Sequence, residues 1–155
     1  IIAREEGATM LLTERAAHLK DHAGQIAFPG GKIASATETP AEAALREAHE
    51  EIGLDASLVE SLGYLDPYLS STGYRIIPLV GMVQPDFTPR IDESEVASVF
   101  EVPLSFLMDP DRHNVHQREW RGVQRRYFAM PYGERYIWGV TAGIIRILYE
   151  RLYGP

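Results

Sequence analysis

The stretch from Thr39 to Leu54 restricts this chain most, because both of its ends carry helix-end signals and its middle concentrates acid. Thr39-Pro40-Ala41-Glu42 has the form of a capping box, with Thr39 as N-cap, Pro40 at the first helical position and Glu42 reaching back. Gly53 follows as a left-handed residue just past the helix end. Ala41, Leu45, Ala48 and Ile52 form an apolar stripe expected to pack on a sheet. Glu47 and Glu51 share one helical face and Glu50 lies one turn from Glu47, so three carboxylates fall within five residues. The helical wheel sets Glu47 and Glu51 away from the stripe, at its open edge. Arg46 is four residues from both Glu42 and Glu50 and is placed to pin either. Bare carboxylates at this spacing repel and weaken a helix, and a divalent cation would compensate them. Oxygen ligands without His or Cys favour Mg²⁺ or Mn²⁺ over zinc. A solvated acidic face has the same local sequence, so the surroundings must decide.

Upstream lies Phe28-Pro29-Gly30-Gly31-Lys32, where paired glycines let the backbone approach a ligand and the Gly31 carbonyl can add an oxygen to a metal. Gly31, Glu38 and Arg46-Glu47-Ala48-His49-Glu50-Glu51-Ile52-Gly53-Leu54 together resemble the Nudix box, G-x5-E-x7-R-E-U-x-E-E-x-G-U with U apolar. The second half matches at every fixed position; in the first half six residues, not five, separate Gly31 from Glu38. Leu11-Leu12-Thr13-Glu14-Arg15-Ala16, Lys20, Gly24 and Phe28-Pro29-Gly30-Gly31 resemble a further signature, that of the coenzyme A pyrophosphatase branch, L-L-T-x-R-[SA]-x3-R-x3-G-x3-F-P-G-G. Lys20 stands where that pattern has Arg, which keeps the charge and loses a bidentate fork. The likeness continues through Tyr74 to Gly81, Glu95-Val96 and Ile137 to Ala142, and so covers nearly the whole chain.

The resemblance implies a Nudix-like α/β/α sandwich with a mixed β-sheet, a single domain over residues 1–155. It implies attack of water on a pyrophosphate phosphorus with Mg²⁺ or Mn²⁺. For coenzyme A the products would be 3′,5′-ADP and 4′-phosphopantetheine. Glu47, Glu50 and Glu51 would hold the cations, joined by Gly31 and by a later carboxylate; of Glu93 and Glu95, Glu95 is favoured because Val96 anchors it to a strand. Arg46 joins the catalytic set. Glu47 fits either the ligand or the general-base role. Two rivals follow. One is a Nudix enzyme for NADH, ADP-ribose or an oxidised nucleotide, against which only the Leu11–Gly31 block argues. The other is a nucleotide-binding regulatory module without hydrolysis, ranked lower because every acidic box position is present.

Composition sets further bounds. At 155 residues, with 45% hydrophobic and 24% charged residues, the chain fits one globular domain with a sizeable core. There are no cysteines, which removes disulfides, thiol catalysis and cysteine-ligated zinc, and fits a cytoplasmic setting. The longest apolar run, Ile76 to Val83, is too short to span a bilayer. The chain opens without Met inside an apparent strand, so an upstream segment is expected. The net charge of −7 argues against nonspecific nucleic-acid binding. An anionic small molecule would instead use the local basic island of Arg15, His18, Lys20, His22 and Lys32, with Gln25 beside it. Self-association as a homodimer is a further expectation.

The pattern along the chain predicts strands over 9–13, 25–28, 62–68, 76–83, 95–101 and 127–131. Short turns are expected at Arg4–Gly7 and Ser70–Gly73, a short helix over 103–108, and a closing helix over 138–152. His113 and His116 read as solvated loop histidines. The serines lack the G-x-S-x-G elbow of a hydrolase triad. Tyr136 and Trp138 are expected to be buried with the closing helix, whereas Tyr68 and Tyr74, beside a polar turn, are better placed to touch a ligand.

Overall fold

The computed structural model describes residues 1–154. Its centre is strand β1 (Thr9–Arg15), paired antiparallel with β2 (Ile26–Ala27) on one side and β7 (Val96–Pro103) on the other. β3 (Val59–Tyr64) pairs with β6 (Leu79–Val83), and Ile2 stitches the two parts together. Ile2 bridges Thr9 antiparallel and Val83 parallel, which makes the sheet mixed. A short hairpin, β4 (Tyr68–Leu69) with β5 (Arg75–Ile76), follows β3. A second sheet has the order β10 (Arg135–Trp138), β9 (Val123–Tyr132), β8 (Asn114–Trp120). The helices are α1 (Pro40–Ile52), a single turn α2 (Leu104–Leu107) and α3 (Gly139–Tyr153). Among the described residues no helix is long and apolar enough to cross a membrane.

Alternation along β1 builds two cores. Leu11 points to one face, where Ala48 and Ile52 of α1 pack with Ile2, Val83 and Val96. Met10 and Leu12 point to the other, where Val102, Met130, Ile137 and Ile145 bring in the second sheet and α3. The result is an α/β/α arrangement with α1 and α3 on opposite sides of the sheet. Only part of the expected stripe on α1 is deeply buried: Ala48 and Ile52 are, with Ala43, whereas Ala41 and Leu45 are half-buried.

Several elements differ from the sequence expectation. The 62–68 strand is replaced by β3 and β4, shifted to either side, and 76–83 breaks at Pro78, which has no N–H for a ladder. β8 gave no signal because all of its residues are exposed, so no apolar alternation marks it. The expected closing helix takes in only Trp138, the last residue of β10, and residues 135–137 carry no predicted element. Tyr136 and Trp138 lie on this strand, and α3 starts at Gly139, whose φ of 64° breaks the strand. Tyr136 is exposed rather than buried. His113 is buried, not solvated: its Nε2 donates to the Leu107 carbonyl at 2.7 Å and its Nδ1 accepts from Arg146 at 3.3 Å. His116 is exposed on β8.

The α1 ends are as the residues require. Thr39 Oγ1 accepts from the Glu42 N–H at 3.2 Å, and the Glu42 carboxylate accepts from the Thr39 N–H at 2.8 Å. Gly53 closes the helix at φ 70°, its N–H donating to the His49 carbonyl at 2.9 Å. Because Thr39 satisfies an otherwise free helix donor, Thr39→Ala should lower unfolding free energy by about 1 kcal/mol. Urea denaturation of both proteins measures this; an unchanged midpoint would show that the cap contributes nothing to stability.

Candidate functional site

α1 and the loops at its C-terminal half bring Glu47, Glu51 and Glu95 together, with one carboxylate oxygen from each within 4.8 Å of the others. Three contacts build this. Asp92 N–H donates to the Glu51 carbonyl at 2.9 Å, and Arg90 N–H to the Ile52 carbonyl at 2.8 Å, so the loop before β7 is fastened to the helix end. Ala16 N–H donates to the Glu95 carbonyl at 2.9 Å, which ties the same loop to the end of β1. The β1–β7 register shifts between Glu14 and Arg15, a bulge beside the site. Glu95 thus arrives through tertiary contacts from a position more than forty residues after the helix acids.

Glu51 departs from expectation. Rather than standing at an open edge, it is 5% exposed, with the Gly30 N–H donating to its Oε2 at 3.3 Å. Burial pushes its carboxyl up to about 7; Glu95 and Glu47 push the same way, while the Gly30 bond and Arg15 oppose the shift. The glycine at position 31 is explained by space. Its φ is not in the left-handed region, but a Cβ there would strike the Glu47 carboxylate, with Oε2 only 2.7 Å away.

Of the two carboxylates four residues away, Arg46 reaches Glu50 and not Glu42, which is engaged in the cap, and its shorter contacts lie elsewhere. Its Nε and Nη2 donate to Glu38 at 2.7 and 3.2 Å, Nη1 to Glu47 at 2.9 Å, and Nη2 also to the Lys32 carbonyl at 3.0 Å. A longer contact of 3.4 Å reaches Glu50, whose side chain is 51% exposed and stands outside the trio. Glu38 also accepts from the Ala34 N–H at 2.6 Å, and the Arg46 bonds with this one hold its carboxyl below the usual range. The extra residue between Gly31 and Glu38 is taken up in this turn, where Ile33 projects at 49% exposure.

The basic island divides. Arg15 borders the trio, near enough for its charge to favour the ionised Glu51, and its Nε is buried with no hydrogen-bond partner among the described residues. Lys20 and His22 are exposed in the turn between β1 and β2, and His18 Nε2 lies 2.9 Å from the Ser94 carbonyl. Lys32 sits over the Tyr74 ring, 5.4 Å from its centroid. Gln25 lines a separate cavity of about 240 Å³ with Glu14, Arg135, Tyr136 and Trp138. Of the two tyrosines flanking the 70–73 turn, Tyr74 is exposed, whereas Tyr68 packs against Gly143 of α3.

The trio suits a hard divalent cation. All of its donors are oxygens, its negative charges converge with only part of Glu47 neutralised by Arg46, and the bare Gly31 backbone lies against it. With Glu51 raised to about 7 in the fold against 4.5 for the free group, the folded state holds a proton that the unfolded state has released between those values. Metal-free stability therefore falls as pH rises through that window. Glu51→Gln, neutral throughout, should melt above wild type in EDTA at pH 8 and level with it near pH 4.5. Adding Mg²⁺ at pH 8 should raise the wild-type melt and leave the variant's unmoved; equal metal-induced shifts would remove Glu51 from the site. Separately, Gly31→Val should cost far more activity than stability, because its side chain displaces a Glu47 carboxylate rather than core atoms. Ile33→Ala, in an exposed position, should be mild in both, and activity assays with thermal melts on the two variants distinguish these effects.

Comparison with known proteins bears on the family and the fold. The NUDIX domain family model matches residues 1–125. The Nudix hydrolase NudL of Enterobacter sp. (strain 638) is 43% identical over 147 residues, spanning 95% of this chain and 77% of the relative. NudL of Escherichia coli (strain K12) gives the same identity and coverage. DR0079 from Deinococcus radiodurans superposes with a TM-score of 0.59 at 16% identity, covering 98% of this chain and 78% of its own. The NUDIX domain of Shewanella oneidensis NrtR, solved with ADP ribose, gives 0.56 at 18% identity, covering 97% and 82%. These two structures share the fold. The box on α1, the carboxylate trio it helps assemble and the match over most of the chain lead to one conclusion: this protein belongs to the Nudix hydrolase family and is a pyrophosphohydrolase of nucleoside diphosphate derivatives.

Proposed function

We propose that this chain hydrolyses the pyrophosphate bond of coenzyme A or a derivative, releasing 3′,5′-ADP and 4′-phosphopantetheine. The observation that carries this reading is the position of the Leu11–Gly31 block relative to the trio. Its Arg15 borders Glu51 with an unpartnered Nε, its Gly30 N–H binds Glu51, and its Gly31 lies against Glu47. The segment that resembles the coenzyme A branch thus forms one wall of the acidic site. Its other polar members, Lys20 and His22, remain exposed and available to an anionic ligand.

Mg²⁺ or Mn²⁺, when bound, supplies the positive charge that neutralises the pyrophosphate and makes water easier to deprotonate. Glu47, Glu51 and Glu95, with Glu50 and the Gly31 carbonyl, are the residues proposed to hold it. Arg46 orients Glu47 and fixes the loop that carries Gly31. Glu47 is the proposed proton acceptor, since only one of its oxygens is bound by Arg46. Arg15 is proposed to orient a phosphate, and Lys20, His22, Gln25 and Lys32 to bind the remainder of the substrate. We take residues 1–155 as one domain, because β1 contributes to both cores and β9, β10 and α3 complete one of them.

The deciding assay is a metal-supplemented hydrolysis panel of coenzyme A, NADH, ADP-ribose and deoxynucleoside triphosphates. Coenzyme A should have the highest kcat/KM; a clear preference for another member overturns the substrate assignment and leaves the family intact. Glu51→Gln should lower kcat on the preferred substrate by about 10²-fold or more. Arg15→Ala or Lys20→Ala should raise KM for coenzyme A more than for its 3′-dephospho form, since a lost cation matters most beside the extra phosphate. Equal increases would remove that role from both side chains.

A further inference from the structure

The β8–β9 hairpin is not used by the site described above, and its two faces are unlike. Cross-strand partners share a face of a sheet. On one face Phe128 and Met130 of β9, with Ile137 of β10, close the core under α3. The other face carries a row of rings: Tyr136 and Trp138 with centroids 6.2 Å apart, Trp138 and Tyr127 at 5.5 Å, Tyr127 and His116 at 5.6 Å. Farther along the same face Arg118 stands directly opposite Arg125, and Trp120 opposite Val123. All of β8 and the first four residues of β9 are exposed, and Tyr136 is 44% exposed. A two-residue turn with both φ values positive, Arg121 at 52° and Gly122 at 76°, closes the ribbon and fixes its register.

Opposed like charges destabilise a strand pair. Among the described residues, Arg118, Arg121, Arg125 and Arg126 form no ion pair. Between residues 114 and 126 these four arginines meet one carboxylate, Glu119, in a chain whose net charge is −7. The overall charge, which argued against nucleic acid, averages over this local concentration. We propose that this face of the ribbon docks single-stranded nucleic acid, with bases stacked on the Tyr136, Trp138 and Tyr127 rings and phosphates met by Arg118 and Arg125. The charge calls for an anion, and the ring row calls for one with π-faces spaced along a strand. A second copy placed by a two-fold axis along β8 would set these arginines near their equivalents. A lipid surface would use the ribbon tip, where Trp120 and Val123 are exposed, whereas the row of Tyr136, Trp138 and Tyr127 rings runs along the face away from it and favours the strand.

Fluorescence anisotropy of a labelled 12-nucleotide single-stranded RNA, with the full chain in EDTA so that the acidic trio holds no cation, tests this. Micromolar binding at low salt is expected. The double variant Arg118→Ser/Arg125→Ser should weaken it at least about tenfold and reduce the slope of log affinity against log salt by about 1.4, near 0.7 for each phosphate contact. Tyr136→Ala should weaken it by about fivefold or more through lost stacking. The double variant should retain hydrolysis of the small-molecule substrate and melt no lower than wild type, because it removes a repulsion. Absence of binding at low salt, equal affinity in the double variant, or binding to phosphatidylserine vesicles in place of RNA would each overturn the proposal. Tyr136 and Trp138 share a cavity with Gln25, so the Arg118→Ser/Arg125→Ser variant, whose residues lie outside that cavity, is the arm that separates this proposal from the coenzyme A reading.

Discussion

The Arg46 guanidinium joins three pieces of chain that would otherwise meet only as repelling acids and a loose loop. It binds Glu38 with two nitrogens, Glu47 with a third contact, and the carbonyl of Lys32 immediately after the paired glycines. One cation therefore sets the distance between the loop and α1, orients a carboxylate of the trio and closes the turn that absorbs the extra residue before Glu38. Its planar fork is suited to this; a point-charge ammonium would not hold two carboxylates and a carbonyl in fixed directions. Gly31 completes the fit by leaving room for the Glu47 carboxylate.

That clamp leaves the charge of the trio only partly offset, and this links the energetics of the fold to its chemistry. A carboxyl as buried as Glu51 is held near neutrality in the absence of other cations, with Arg15 and one backbone N–H acting against the desolvation. The site is thus destabilising when empty of positive charge and suited to binding it. Strain of this kind is tolerated because the helix bearing Glu51 is fixed independently, by its caps and by Ala48 and Ile52 in the core.

The sheet separates this acidic work from the rest of the molecule. Successive residues of β1 face opposite cores, so Leu11 supports the acidic helix while Leu12 supports α3 and the second sheet. The β8–β9 ribbon extends that second sheet, with charge opposite in sign to the chain as a whole.

What the sequence determined by itself was the local structure of α1. Its capping box, its C-terminal glycine and the spacing of Glu47 and Glu51 depend only on residues within one or two turns, and helix geometry follows from such neighbours. The Nudix resemblance rests on the same residues, and so does the α/β/α expectation that the family comparison and the fold bear out. Tertiary structure decided the rest. The burial of Glu51 depends on the Gly30 loop folding over it, and the approach of Glu95 depends on backbone bonds from Ala16 and Asp92. β8 was invisible because its order comes from a cross-strand ladder and not from an apolar face of its own. β10 was hidden because Ile137 and Trp138 run straight into the apolar residues of α3, and only the positive φ of Gly139 separates strand from helix. The pairing of Arg118 with Arg125 belongs to the same class: a contact between strands is a property of register, which no single segment encodes.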